Sequence, residues 1–248
     1  MTTEVITEPT AQELAGVAAE RFIAAAHRAI DDHGMFRVAL SGGNTPRALY
    51  EKLAVESSKS EIWDCVQVFF SDERFVPPDS TESNFHLAKT TLLSRVPIPE
   101  RFVYRVATVE IPPEAAAKAY EDELRRVFAV RMPDVPRFDL ILLGLGEDGH
   151  TASLFPDTEA LRVQDRLVVA NFVSKLNTWR VTFTYPLINA AEHVIFLVQG
   201  EGKAEMVRRV VDGAPDLPAS GVHPDSGTLT WLLDQAAASR LPETRQTV

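Results

Sequence analysis

Four short apolar runs constrain this chain more than anything else in it: FRVAL (36–40), VQVFF (66–70), FDLILL (138–143) and HVIFLVQG (193–200). Runs of this length and composition read as strands buried on both faces. RLVVA and RVTFTY read as further strands, and FVYRV as a short one. Between them lie helical patterns. The first opens on a capping box, with Thr10 as N-cap and Glu13 at N3. Leu14, Ala18, Phe22, Ala26 and Ile30 then recur on one face until Gly34 stops the helix. PRALYEKLA follows, with Pro46 suited to the first helical position behind Thr45 as cap. NFHLAKTTLL, EAAAKAYEDELRRVFA, GEGKAEMVRRVVD and TLTWLLDQAAAS supply the remaining expected helices. Strands alternating with helices predict an α/β fold with a mostly parallel sheet covered on both sides. No repeat, low-complexity tract or Gly/Ser linker divides residues 1–248. One domain is expected, with a helical subregion near residues 80 to 130.

Composition narrows the function classes. A net charge of −10 argues against nucleic acid, whose phosphates need a basic surface, yet leaves room for a small anion held by a few local cations. Cys65 is the one cysteine, so no internal disulfide can form, which fits a reducing cytosol. Its setting in WDCVQVFF suits a core thiol. The start MTTEVITEPT lacks a basic-then-apolar signal pattern, and no apolar run is long enough to span a membrane. A cytoplasmic protein with no obligatory protein partner is the expectation.

Ligands of open α/β sheets bind beyond the carboxyl ends of the strands, and three such ends carry unusual residues. The first is LSGGNTP. Gly42 and Gly43 permit close backbone approach, and Ser41, Asn44 and Thr45 lead into a helix whose free N–H groups and positive dipole end suit an anion. It lacks the P-loop spacing, so a nucleoside triphosphate is not implied. The second is SDERFVP, where Asp72, Glu73 and Arg74 leave the strand together. This is a solvated loop or, in Arg74, a fork for a phosphate or carbonyl oxygen.

The third end, GLGEDGHTASLFP, contains G-x-G-x-x-G, but Glu147 and Asp148 would set two negative charges against a pyrophosphate. The acid expected at the end of the next strand is also missing, since Asp165 precedes RLVVA. The nucleotide reading fails. The glycines instead form a turn that sets His150 at the start of a short helix, with carboxylates to orient it, where a general base should stand. Neither His-x-x-x-His nor a cysteine pair suggests a metal, and Gly-x-Ser-x-Gly is absent.

With these loops in hand, the chain resembles the 6-phosphogluconolactonase family. The stretches LSGGNTPRALYEKLA, FFSDERFVPPDSTESNFHLAKTTLL, FDLILLGLGEDGHTASLFP, WRVTFTYPLINAAEHVIFLVQGEGKAEMV and LPAS…GTLTWLLDQAAA carry the resemblance in order over most of residues 36–238. It implies a Rossmann-like three-layer fold of the NagB/RpiA type, shared with glucosamine-6-phosphate deaminase. It also implies hydrolysis of 6-phospho-D-glucono-1,5-lactone in the pentose phosphate pathway without metal or cofactor. By the resemblance His150 is the general base, Arg74 an electrostatic partner, and Gly42 and Gly43 substrate-loop residues; Asp148 is expected as a catalytic residue beside the base, and Ser41, Asn44, Thr45 and Asp72 as substrate-binding residues. Where many members carry Pro-Lys-Pro-Pro, this chain reads SKLNTWRVT, so Lys175, Arg180 and Lys203 stand as alternative phosphate ligands. Two other readings compete. One is a sugar-phosphate deaminase or isomerase, which typically shows Asp-Glu-Tyr in place of Asp72-Glu73-Arg74. The other is a non-catalytic sugar-phosphate sensor, which expects an attached DNA-binding domain.

Overall fold

A computed structural model describes residues 2–109 and 111–242. In chain order the first half runs β1 (Thr2–Glu8), α1 (Ala11–His33), β2 (Phe36–Leu40), α2 (Asn44–Glu56), β3 (Val66–Phe70), β4 (Asp72–Arg74) and α3 (Asn84–Ala88). The second half runs α4 (Pro113–Val127), β5 (Leu140–Leu143), β6 (Val168–Val173), β7 (Thr178–Phe183), α5 (Tyr185–Asn189), β8 (His193–Val198), α6 (Ala204–Val211) and β9 (Thr228–Asp234). Six strands form one sheet in the order β1-β9-β8-β5-β2-β3, every pair parallel. A small antiparallel sheet, β4-β7-β6, stands beside it.

The continuous apolar runs are explained by two cores, one on each face of the large sheet. Val38 and Leu40 of β2, Leu140 and Leu142 of β5, and Ile195 and Leu197 of β8 point to one core, which α1 and α2 close with Phe22, Leu49 and Tyr50. Ala39, Ile141, Leu143, Val194 and Phe196 point to the other, closed by Tyr120 and Leu124 of α4 and Val207 of α6. Successive strand residues face opposite sides, so a strand between two dry layers must be apolar at every position. The small sheet packs into the second core through Val168, Val181 and Phe183.

The ends of α1 follow the sequence closely. Thr10 Oγ1 accepts from the Glu13 backbone N–H at 3.2 Å, and Gly34 takes the left-handed conformation at φ 83°. Elsewhere the structure corrects the expectations. TLTWLLDQAAAS begins as strand β9, because pairing between β1 and β8 overrides the helical look of its alanines. β1 itself, in the segment read only for its lack of a signal, is an edge strand. FVYRV forms no strand beyond a bridge from Val103 to Val68. The cap of α2 is Gly43, at φ 111°, so Pro46 lies deeper in the first turn. The 80–130 region holds α3, a π turn over Lys89–Leu93, a 3-10 turn and α4. Cys65 is only partly buried.

Candidate active site

β2 is followed in sequence by β3 on one side of it, while β5 joins its other side and the chain then continues outward through β8. The crevice between the loops after β2 and β5 is the place where the winding reverses, and there a parallel sheet opens for a ligand. A cavity of about 220 Å³ lies there, lined by Ser41, Gly42, Gly43, Asp72, Arg74, Gly144, Leu145, Gly146, His150, Ala152 and Lys203. A second chamber of about 290 Å³ adjoins it and adds Asn44, Thr45 and Gln199, with Lys203 on the wall of both. The structure therefore gathers the sites read from three separated motifs. Lys175 and Arg180 line neither chamber.

The loop after β2 is fixed from below. Tyr50 Oη donates to the Ser41 carbonyl (2.7 Å) and accepts from the Ser41 N–H (3.1 Å), so α2 holds the turn that precedes it. Side-chain contact, not turn geometry, demands Gly42: a Cβ there would fall 1.8 Å from Asn84 Oδ1.

The SDER segment divides by face. Glu73 is buried and accepts from the N–H groups of Arg74, Asn84 and Phe85 and from Ser83 Oγ, anchoring the start of α3. Burial pushes its carboxyl above the usual range even against those donors. Asp72 faces the cleft, held by Asn84 Nδ2 (3.0 Å) and Ser153 Oγ (2.6 Å). Arg74 donates through Nη1 to the Glu82 carbonyl at 2.6 Å, while its Nε is buried without a partner. Its register partner across the small sheet is Arg180, whose Nε is likewise buried and unpartnered. Like charges directly opposite on neighbouring strands repel. Burial lowers the Arg180 pKa first and the Arg74 charge adds to the effect.

His150 does not begin a helix. It sits in a turn closed by Gly149 N–H to Gly146 C=O (3.1 Å) and Gly146 N–H to His150 C=O (2.8 Å). Gly149 has φ 78° and Ala152 has φ 47°, so left-handed residues on either side of His150 prevent a helix. For alanine this is a strained backbone, and it lies on the wall of the cleft. His150 Nδ1 meets Asp148 Oδ1 at 2.5 Å, which assigns the Nδ1 proton to that contact and leaves Nε2 as an acceptor. Phe155 stacks on the imidazole at 4.0 Å and 20°. Gly146 is needed because a Cβ there would lie 2.0 Å from Nδ1. Burial pushes the imidazole down to about 4; Asp72 opposes this, and Lys203, Arg180 and Arg74 reinforce it. The ring is therefore neutral across the ordinary working range.

Burial also lowers the Lys203 ammonium, against a smaller pull from Glu147. Lys175 Nζ contacts Asp148 Oδ2 and stands 5.0 Å over the Phe155 ring. Asn84, Ser153 and Phe155 were not singled out from the sequence. Ser153 and Phe155 lay inside the quoted motif GHTASLFP, but no spacing announces that Asn84 reaches back to Asp72. Among the described residues no cluster of His, Cys, Asp or Glu is placed to hold a metal ion, and no helix is long and apolar enough to cross a membrane.

Comparison with known proteins shows the family. The family model described as glucosamine-6-phosphate isomerases/6-phosphogluconolactonase matches residues 9–231. A 6-phosphogluconolactonase of Nostoc sp. is 44% identical over 216 residues, covering 86% of this chain and 88% of its own. The solved 6-phosphogluconolactonase from Trypanosoma cruzi superposes with a TM-score of 0.87 at 31% identity, covering 97% of this chain and 98% of that one. A monomeric glucosamine-6-phosphate deaminase of the NagB superfamily superposes with a TM-score of 0.79 over 96% of this chain and 99% of its own; at 21% identity it speaks for the fold alone. By the extent of the family match and these relatives, the chain belongs to the glucosamine-6-phosphate isomerase/6-phosphogluconolactonase family.

Proposed function

We propose that this protein hydrolyses 6-phospho-D-glucono-1,5-lactone to 6-phospho-D-gluconate, the lactonase step of the oxidative pentose phosphate pathway. The observation that carries the reading is a neutral imidazole, His150, buttressed by Asp148 and facing a cleft that also holds Arg74 and Lys203. Relatives that match across most of their length bear the lactonase name.

The two chambers suggest the pose. The phosphate occupies the chamber at the start of α2, where uncapped backbone N–H groups of the Gly43–Thr45 turn and the Lys203 ammonium supply donors and charge. Arg180 adds positive potential from the edge of the site. The lactone ring then lies between His150 and Arg74. Nε2 of His150 removes a proton from water as its oxygen attacks C1, and the C1–ring oxygen bond breaks as the tetrahedral intermediate collapses. The proton passes to the departing ring oxygen, leaving a hydroxyl and a carboxylic acid that ionises in solution. Charge on the carbonyl oxygen is greatest in the transition state, where the pinned Arg74 guanidinium stabilises it more than it does the ground state. Asp72, tied to Asn84 and Ser153, balances the cations without binding the phosphate.

The test is to incubate pure protein with the lactone and, separately, with glucosamine 6-phosphate. Acid release above the spontaneous rate, with no ammonia from the amino sugar, is expected. Ammonia release would assign the protein to the deaminases, and binding without turnover of either would make it a sensor.

A further inference from the structure

Two groups fix the His150 imidazole, and Lys175 touches both. Asp148 holds Nδ1 through Oδ1 and meets Lys175 Nζ through Oδ2. Phe155, 4% exposed, stacks on the imidazole while the same ammonium stands over its ring. Lys175 belongs to the turn Ser174–Leu176 that joins β6 to β7, whose end is set by Asn177 in the left-handed conformation at φ 47°. The lysine therefore ties the tip of the small sheet to the loop after β5. It lines neither chamber of the cleft.

We propose that Lys175 is a positioning residue that locks the Asp148–His150 pair in its working arrangement and takes no part in holding the phosphate. This rests on His150 being the base. A carboxylate shared between a lysine and a histidine keeps one rotamer, because each oxygen is committed to a different donor. The ammonium also offsets the charge that Asp148 presents to the ring. Without it, Asp148 attracts a proton to His150 more strongly and its carboxyl is free to turn. The other charges acting on the imidazole, Asp72, Lys203, Arg180 and Arg74, stay in place when Lys175 is replaced.

The experiment compares Lys175→Gln and Lys175→Arg with wild type on 6-phosphogluconolactone and on unphosphorylated gluconolactone, and follows the His150 ring by NMR titration. The glutamine variant should lose roughly tenfold in kcat on both substrates with KM nearly unchanged, since small misplacement of a catalytic group is costly. Its His150 midpoint should move up, and the arginine variant should restore both readouts. A KM increase confined to the phosphorylated substrate would make Lys175 a phosphate ligand and overturn the proposal. Unchanged kcat with an unchanged midpoint would reduce the contact to a solvated surface pair, whose worth is small, and would overturn it equally. Failure of the base assignment is separately visible: His150→Ala would then be as active as wild type, while the midpoint in Lys175→Gln would still report whether the lysine acts on the ring.

Discussion

The two ends of the large sheet carry cavities with similar inventories and opposite character. At the amino ends of β2, β5 and β8 a cavity of about 440 Å³ is lined by His33, His193, Arg28, Arg37, Arg137, Asp139 and Glu192 among others. That is larger than either chamber of the cleft at the carboxyl ends and as rich in titratable groups. There, however, the side chains satisfy one another. His33 bonds Asp139 at 2.9 Å, Arg28 meets His193 at 3.1 Å, Arg137 pairs with Glu192, and Arg37 donates to Gln67. At the carboxyl ends Arg74 and Arg180 face each other as like charges, each with a buried nitrogen unpartnered, and Ser41 Oγ is buried without a partner as well. Buried polar groups are normally hydrogen-bonded; Thr7 Oγ1 and Ser220 Oγ are isolated exceptions elsewhere, whereas the grouping of several beside the cleft suits a place where a ligand completes the set. Size and charge count do not distinguish the two cavities; what is left unsatisfied does.

The sharpest break of this contrast is to remove one histidine from each end. His150→Ala should lower kcat by about 10²–10⁴-fold, the usual contribution of a positioned base, while His33→Ala leaves kcat at the wild-type value in the same lactone assay. Equal rates for the two variants would erase the distinction. Charge reversal comes next. Arg180→Glu should raise KM for the phosphorylated lactone by on the order of 10²-fold, and far less for gluconolactone, because an attractive potential at the edge of the site becomes a repulsive one. Arg28→Glu, at the opposite end, should leave KM alone for both.

A smaller effect separates two glycines. Gly146→Ala drives a methyl into the His150 ring and should cost roughly tenfold in kcat, with binding of 6-phosphogluconate preserved by calorimetry. Gly213→Ala has open space around its Cβ but a left-handed φ of 80°, so it should cost stability, read as a lower Tm, with no loss of kcat.

The smallest effect is on stability against pH. The folded His150 pKa, about 4, lies below its ordinary value near 6.5, so the unfolded chain binds the extra proton first. Its contribution is fully present above about 6.5 and is lost as pH falls toward 4. The Tm advantage of wild type over His150→Ala should therefore shrink across that window by a few degrees in scanning calorimetry. A constant difference would place the pKa elsewhere.

Much of this contrast is legible in the sequence alone. FRVAL, VQVFF, FDLILL and HVIFLVQG declare themselves as strands because they are dry on both faces, and the polar loops at their carboxyl ends then stand out as the candidate site. Thr10 and Gly34 mark helix ends because capping is chemistry within a few residues. What stayed hidden depends on distant partners. β9 has apolar residues on both faces followed by QAAAS, and only its neighbours β1 and β8 make it a strand. His150 was placed by sequence at a catalytic position but in the wrong local structure, since a left-handed Ala152 has no signature in composition. The roles of Asn84 and Glu73 are contacts across ten or more residues, which no motif spacing encodes.

β4 is three residues long, yet both the cleft and α3 depend on it. Asp72 and Arg74 point to the cleft and Glu73 to the helix behind, because alternate residues of a strand take opposite faces. The segment therefore obeys a rule of parity. A one-residue slip of register would send the glutamate that anchors α3 into the cleft, and would turn the shorter aspartate or the arginine toward the N–H donors at the start of α3, from which a guanidinium cannot accept. Divergent members of such a lineage can exchange the side chains of this tripeptide one at a time. They cannot change its length by one without exchanging the inside of the site for its outside.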